Sequence, residues 1–128
     1  MPIRIHDIVG TWDTVIDDWR GVLVLRPSDQ ELNEIDGGCT YTSYTLDGAY
    51  TGGDGRGVAV RGYAGGHDLN SRVGSCRQSD HYLSFTIAFP GDPPQPFNGY
   101  IFTHQWRTMA GYTWWHGTPF GWYARKRP

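Results

Sequence analysis

The sequence predicts an all-β domain, folded as an eight-stranded antiparallel up-and-down β-barrel, and three observations favour this fold class. The 128-residue chain is rich in glycine, with 18 residues, and in aromatic residues, at 15%. Glycine permits tight turns, and aromatic side chains suit half-buried pleated surfaces. Short runs of alternating polar and apolar residues recur between turn signals, and no long helical pattern interrupts them. The length indicates one domain over residues 1–128.

Four strands are expected in the first half of the chain. Gly10–Ile16 alternates clearly, with Trp12, Thr14 and Ile16 on one face. Residues 17–21 are expected to form a connection, and the polar stretch 27–38 is expected to hold at most one short helical turn. The other three strands are predicted at residues 22–26, 39–45 with an extension toward 50, and 58–63.

The second half predicts four more strands. The strongest covers residues 82–89, where Leu83, Phe85, Ile87 and Phe89 share one face, and the prolines that follow end it. The others are predicted at residues 97–102, 104–112 and Thr118–Lys126. Eight antiparallel strands can close into a barrel whose interior holds side chains or one small ligand. An open sandwich is the alternative architecture.

Charge and composition exclude several function classes. The formal net charge of −2 gives no electrostatic basis for binding nucleic acid or an anionic membrane. No run approaches the roughly 18 apolar residues of a membrane span. The N-terminus lacks a secretory apolar region, so a cytoplasmic protein is expected, although a trimmed secreted chain would look the same. Nucleophile, phosphate-loop and metal-ligand motifs are lacking, so the sequence predicts no cofactor and no metal.

The chain has two cysteines, Cys39 and Cys76. In a chain without a secretory leader, two reduced thiols are the first expectation. The alternative is a disulfide across one rim of the barrel, because both cysteines fall at the same end of the predicted meander. Zinc would require paired cysteine spacing that the sequence lacks.

The motif Gly10-Thr11-Trp12 resembles the Gly-x-Trp of the calycin group, which comprises lipocalins, fatty-acid-binding proteins and avidins. In that group the tryptophan closes the barrel base beneath a basic residue from the last strand. The resemblance therefore implies a cation–π contact between Trp12 and either Arg125 or Arg127.

Later segments resemble, in order, the avidin and streptavidin branch of this group. The matching segments are residues 83–89 for the fifth strand, Phe97-Asn98-Gly99 for the Trp-Ser-Gly of the sixth, Gln105-Trp106 for the seventh, and the spacing from Trp115 to Tyr123 for the loop tryptophan and the final aspartate. The likeness covers residues 10–12 and the chain after residue 82, and is poor from 27 to 80. The chain therefore resembles a remote relative of the avidin-like barrels.

The resemblance implies a ligand site in the barrel mouth. The family holds its ligand tail among four aromatic side chains, whose places here are Phe89, Phe97, Trp106 and Trp115. The places that would hold the polar end of the ligand are Thr14, Asp18, a strand-three tyrosine (Tyr50, Tyr44 or Tyr41) and Tyr123.

Biotin itself is not the expected ligand. Tyr123 stands where the family has an aspartate that accepts a hydrogen bond from the ureido group. A phenol does not replace a carboxylate, and each unmet buried polar partner costs about 1–3 kcal/mol. We therefore expect a similar barrel that binds a different ligand.

Face counting on the last two strands predicts an outer apolar patch. If Trp106, Thr108 and Ala110 point inward with Pro119, Gly121 and Tyr123, then the side chains left outside include Met109, Phe120 and Trp122. Such a patch favours a homodimer or homotetramer. A register shifted by one residue would instead place these three side chains inside.

The sequence thus predicts a small-molecule binding protein with a flat, largely apolar ligand. One alternative is a small barrel enzyme of the cyclase or isomerase type, using His104 or His116 with Asp18 as an acid–base pair. A second alternative is a carbohydrate-binding module, with Trp19 and Trp114 as stacking platforms.

Overall fold

The computed structural model describes residues 5–36, 39–52, 57–67, 82–102 and 107–128. A single helical turn, α1 (Ile5–Ile8), precedes a series of strands. These are β1 (Gly10–Ile16), β2 (Trp19–Asp36), β3 (Cys39–Gly52), β4 (Gly57–His67), β5 (Tyr82–Ile87), β6 (Gln95–Ile101), β7 (Thr108–Trp115) and β8 (Thr118–Lys126).

The sheet is an antiparallel meander. Each strand pairs with the next one in the chain, and β8 pairs with β1, which closes the sheet into a barrel. The predicted all-β, antiparallel up-and-down barrel is therefore confirmed, and the open sandwich is wrong. Closure pairs β1 with β8, the two strands that would otherwise form the edges of the sheet.

The long hairpin of β2 and β3 corrects the prediction for the polar stretch. Residues 31–35 were expected to contain at most a helical turn, but they continue β2 as strand. They pair with β3 from Glu31 opposite Tyr44 to Asp36 opposite Cys39, after a register shift between Pro27 and Glu31. The partner strand is rich in Thr and Tyr, which favour strands, so tertiary pairing overrides the weak local preference of the stretch.

Two tight turns lie at one end of the barrel. Asp17 and Asp18 alone join β1 to β2, so the predicted connection over residues 17–21 is too long. Asp17 has φ 56°, a left-handed value that aspartate tolerates better than most residues. His116 and Gly117 join β7 to β8 with φ 49° and 78°, which is the type I′ geometry of two-residue hairpins.

The barrel interior is filled by alternate side chains of the strands. The largest fully buried residues include Trp12, Leu23, Leu25, Leu46, Leu83, Ile87, Phe97, Ile101 and Met109. Phe85 and Phe97 stack with their ring centroids 5.1 Å apart, and Trp122 meets both rings edge-on. A packed aromatic and aliphatic core therefore occupies the middle of the barrel.

The faces of β7 and β8 are the reverse of those predicted. Met109 and Trp122 are buried, whereas Tyr123 is 51% exposed on the outer surface. The Trp122 indole N–H points to the backbone carbonyls of Asn98 and Tyr112, at 3.2 and 3.0 Å. Strand alternation has a period of two, so a shift of one residue exchanges the faces.

Trp12 closes the base of the barrel, as the Gly-x-Trp motif implied. The basic residue that lies over its ring is not one of the two arginines that the resemblance implied. The Lys126 ammonium lies 5.7 Å from the centroid of the Trp12 ring. The implied Arg125 and Arg127 do not fill this place. Arg125 alternates with buried Ala124 and faces outward, while Arg127 pairs with Asp13 outside the barrel.

Cys39 opens β3, and Cys76 lies outside the described residues. Within the described ranges, no helix has the length and apolar character needed to span a membrane.

Candidate functional site

The candidate site is the mouth of the barrel, at the end opposite Trp12 and α1. Its rim carries the turn at Asp17 and Asp18, the connection 88–94 and the turn at His116 and Gly117. The first and last of these belong to one rim, because the Asp17 backbone N–H donates to the Gly121 carbonyl at 2.9 Å. Residues 53–56, between β3 and β4, lie outside the described residues.

A chain of aromatic contacts crosses the mouth. Tyr50 and Phe89 meet edge-to-face with ring centroids 5.8 Å apart, and Phe89 meets Trp115 in the same way at 6.5 Å. Trp115 also contacts the His116 ring at 4.4 Å. Phe89 is partly buried and Trp115 is 36% exposed, so these rings line an apolar entrance rather than the closed core.

Tyr50 fills the inner part of the mouth. It is 4% exposed, and its ring lies over Gly21, where a Cβ atom would overlap the Tyr50 hydroxyl and ring carbons. Glycine is required at position 21 for this close approach. Gly21 pairs directly with Thr14 across β1 and β2, so the Tyr50 hydroxyl lies beside the strand pair that carries Thr14.

Thr14 has the one buried side-chain polar atom that lacks a hydrogen-bond partner among the described residues. The side chain is 4% exposed, and its Oγ1 has neither a donor nor an acceptor within reach. An unsatisfied buried polar group costs about 1–3 kcal/mol, and native proteins contain few of them. The atom therefore has unused hydrogen-bonding capacity at the inner end of the mouth.

A second buried polar pair lies near the mouth, and it is fully bonded. The Gln95 amide donates to Thr113 Oγ1 at 2.7 Å, and that hydroxyl donates to the Pro96 carbonyl at 2.7 Å. Sequence reasoning missed this pair. Counting back in steps of two from Trp115 would have placed Thr113 inside the barrel.

The predicted aromatic box is not one cluster. Phe89 and Trp115 lie at the mouth, as predicted, but Phe97 is stacked on Phe85 within the core. Trp106 lies outside the described residues. Tyr50, rather than Phe97, is the third ring that contacts the mouth pair.

The predicted polar contacts are also divided. Thr14 and Tyr50 face the inner mouth, whereas Asp18 is exposed in the β1–β2 turn and Tyr123 lies on the outer surface. Tyr41 and Tyr44 belong to β3, but their side chains lie outside the described part of the chain. The structure thus brings Thr14 and Tyr50 together and separates Tyr123 from them.

Two of the predicted acid–base groups, His116 and Asp18, lie at the rim of the mouth. His116 and Asp18 are both exposed in their turns, and the described part of the chain gives no hydrogen bond between them. His104 lies outside the described residues. Among the described residues, no group of three His, Cys, Asp or Glu side chains is arranged to hold a metal ion.

The outer faces of β6, β7 and β8 carry partly exposed rings. Tyr100 pairs with Ala110, which pairs with Tyr123, while Tyr112 pairs with Gly121. Trp114 lies beside Tyr112, with ring centroids 6.4 Å apart and planes at 90°. An outer aromatic patch therefore exists, but with residues other than the Met109, Phe120 and Trp122 that were predicted.

Three charged groups among the described residues have perturbed pKa values for clear physical reasons. The Arg127 guanidinium, which donates to the Asp13 carboxylate, lowers the pKa of Asp13, and the same contact raises the pKa of Arg127. Partial burial lowers the pKa of Lys126 at the base. None of these groups borders the mouth.

Comparison with known proteins gives no relative. No protein-family model matches the chain, and neither the curated proteins nor the solved structures include a significant match.

Proposed function

We propose that this protein binds a small, flat, largely apolar molecule in the mouth of the barrel. The observation that carries the proposal is Thr14 Oγ1, a buried polar atom without a partner among the described residues. A ligand group that bonds to this hydroxyl would remove the penalty of leaving it unsatisfied. The flanking rings of Phe89 and Trp115 would contact the apolar body of the same ligand.

The shape of the mouth limits the ligand. Tyr50 and the Phe85–Phe97 stack occupy the barrel below the entrance, so a ligand would insert one polar group toward Thr14 and leave its body among the rim rings. Small-molecule sites commonly combine such an apolar lining with a few placed polar groups. The proposal therefore specifies a ligand with one hydrogen-bonding end.

We also propose that the barrel is avidin-like. Trp12 beneath a last-strand ammonium, the closed meander and the aromatic mouth all support this relationship. Position 123, where the avidin family has its final aspartate, holds a tyrosine that is half-exposed on the outer surface, which supports the expectation that biotin is not the ligand.

The test compares two neutral probes, 2-naphthol and naphthalene, with biotin, whose carboxyl group is ionised at neutral pH, by tryptophan fluorescence and calorimetry. 2-Naphthol is expected to bind more tightly than naphthalene, and biotin is expected to bind weakly or not at all. In Thr14→Val the affinity for 2-naphthol should fall about five- to tenfold, as for one lost hydrogen bond of about 1 kcal/mol, while the affinity for naphthalene stays unchanged.

Thr11→Val is the matched control, because Thr11 lies on the same strand but on the outer side of the barrel near its base. It should leave the binding of both probes unchanged. If no probe binds, or if Thr14→Val weakens naphthalene as much as 2-naphthol, the proposed site is wrong.

We propose further that copies of the chain associate through the outer aromatic patch of Tyr100, Tyr112 and Trp114. Exposed patches of this kind mark interaction surfaces. Light scattering at two protein concentrations should give a mass above that of the 14.4 kDa monomer, and Tyr112→Ser with Trp114→Ser should lower it. A monomeric wild-type protein at both concentrations would reject the assembly.

A further inference from the structure

The barrel wall carries a second concave region, which opens on the outer surface and also reaches Thr14 and Gly21 beside the inner mouth. It lies across β8, β1, β2 and the end of β3, and its lining includes Val15, Arg20, Val22, Thr51, Tyr123 and Arg125. Strand pairing fixes this order, because Tyr123 lies opposite Val15 and Val15 lies opposite Arg20. We refer to these six residues as the outer depression.

The charges around the outer depression leave two cations uncompensated. Asp13 is the acidic residue of its lining, and its carboxylate accepts three hydrogen bonds from Arg127, at 2.8, 3.1 and 3.1 Å. Arg127 therefore neutralises Asp13. Arg20 and Arg125 have no ion-pair partner among the described residues.

The remaining lining is apolar and aromatic. Val15 and Val22 form neighbouring positions of the outer face, and the half-exposed Tyr123 ring stands beside Val15. Adjacent strands are about 4.8 Å apart, so Tyr123 and Arg20 flank Val15 with backbones separated by roughly 10 Å. That width suits a molecule with one flat apolar body.

We propose that the outer depression binds a compact organic carboxylate, whose anionic end contacts Arg20 and Arg125 and whose apolar body lies on Val15, Val22 and Tyr123. A guanidinium binds a carboxylate through paired hydrogen bonds, which gives it a strong preference for such planar anions. The inference does not depend on the proposed function of the mouth.

The test titrates the protein with 2-naphthoate and with its neutral methyl ester, and follows backbone amide signals by NMR. The naphthoate should shift the amides of Val15, Arg20, Val22 and Thr51, while the ester should bind at least tenfold more weakly. Arg20→Gln and Arg125→Gln should each lower the naphthoate affinity about tenfold, as for a lost charge-assisted hydrogen bond.

Arg107→Gln is the matched control, because Arg107 is exposed but does not line the depression. Equal binding of ester and naphthoate would overturn the proposal, as would unchanged affinity in both arginine variants. Shifts confined to amides near Phe89 and Trp115 would assign the naphthoate to the mouth and would also overturn it. Full displacement of naphthoate by equimolar inorganic phosphate would reject the apolar part of the site.

Discussion

The two ends of the barrel each carry a tryptophan but differ in how completely their polar atoms are satisfied. At the base, the Trp12 indole N–H donates to the Ile8 carbonyl at 2.8 Å, and the Lys126 ammonium donates to the Asp7 carbonyl at 3.1 Å. At the mouth, Trp115 is partly exposed and Thr14 Oγ1 has no partner among the described residues.

Under the proposed function, this difference assigns stability to the base and ligand binding to the mouth. The base is complete in the isolated chain, since its tryptophan is fully buried and its donors have acceptors within the protein. The mouth has an apolar lining and one unsatisfied polar atom, which is the combination that a ligand can complete. Substitutions at the two ends should therefore change different measured quantities.

The largest expected effect comes from truncating the two tryptophans. Trp12→Ala should lower the free energy of unfolding by about 3–5 kcal/mol, because it leaves a large cavity at the base. Trp115→Ala should lower it by less than Trp12→Ala does, because 36% of the Trp115 surface is already exposed to water. Urea unfolding measures both, and similar losses at the two ends would contradict the division of roles.

The next effect compares two buried threonines. Thr113→Val should cost about 1–3 kcal/mol, because it removes the acceptor of the Gln95 amide and leaves that donor unsatisfied. Thr14→Val has the same shape change but removes an atom without a partner, so stability should stay constant or rise. A destabilised Thr14→Val would mean that Thr14 Oγ1 is bonded within the protein.

A smaller effect is expected at Lys126, the only lysine of the chain. Burial lowers its pKa in the folded protein, so the unfolded chain holds this proton more tightly. Stability should therefore rise with pH between the lowered folded value and the unfolded value of about 10.4. Lys126→Met should abolish that rise and lose the cation–π contact, which is worth about 0.5–1 kcal/mol.

Urea unfolding from pH 7 to 10.5 gives the free energy of unfolding of wild type and of Lys126→Met. The tyrosines titrate in both proteins, so their contribution cancels in the difference between the two free energies. If this difference in the free energy of unfolding does not depend on pH, the folded protein does not lower the pKa of the Lys126 ammonium.

The smallest effect is expected for the exposed pair of Asp13 and Arg127. Arg127 lowers the pKa of Asp13, so the pair stabilises the fold above the unfolded aspartate value and this contribution disappears as the pH falls through the lower folded value. Asp13→Asn should flatten only the acid part of the stability profile, followed by thermal unfolding from pH 2 to 6. Added salt should weaken the wild-type effect, because both groups face water.

Much of the fold follows from local sequence patterns. The bounds of Gly10–Ile16 and Thr118–Lys126 are those predicted, because polar and apolar residues alternate along the first strand and the turn at His116 and Gly117 precedes the second. The resemblance to the avidin branch implied places at the mouth for Phe89 and Trp115, and their rings lie there. The polar part of β2 was missed, because its strand conformation depends on pairing with β3 rather than on its own residues.

The sequence by itself determined that this chain forms an antiparallel barrel, because alternation and turn chemistry are local properties. The place of Trp12 at the base and the aromatic mouth were implied by the resemblance of its motifs to the calycin group. Only the tertiary structure decided which face of β8 points inward, and hence that Lys126 covers Trp12 and Tyr123 lies outside. It also decided that Thr113 Oγ1 has hydrogen-bond partners, whereas Thr14 Oγ1 has none among the described residues. An alternation of period two does not say which of the two faces of a strand points inward. The hydrogen-bond partner of a buried group lies on a neighbouring strand, so both properties are fixed only when the barrel closes.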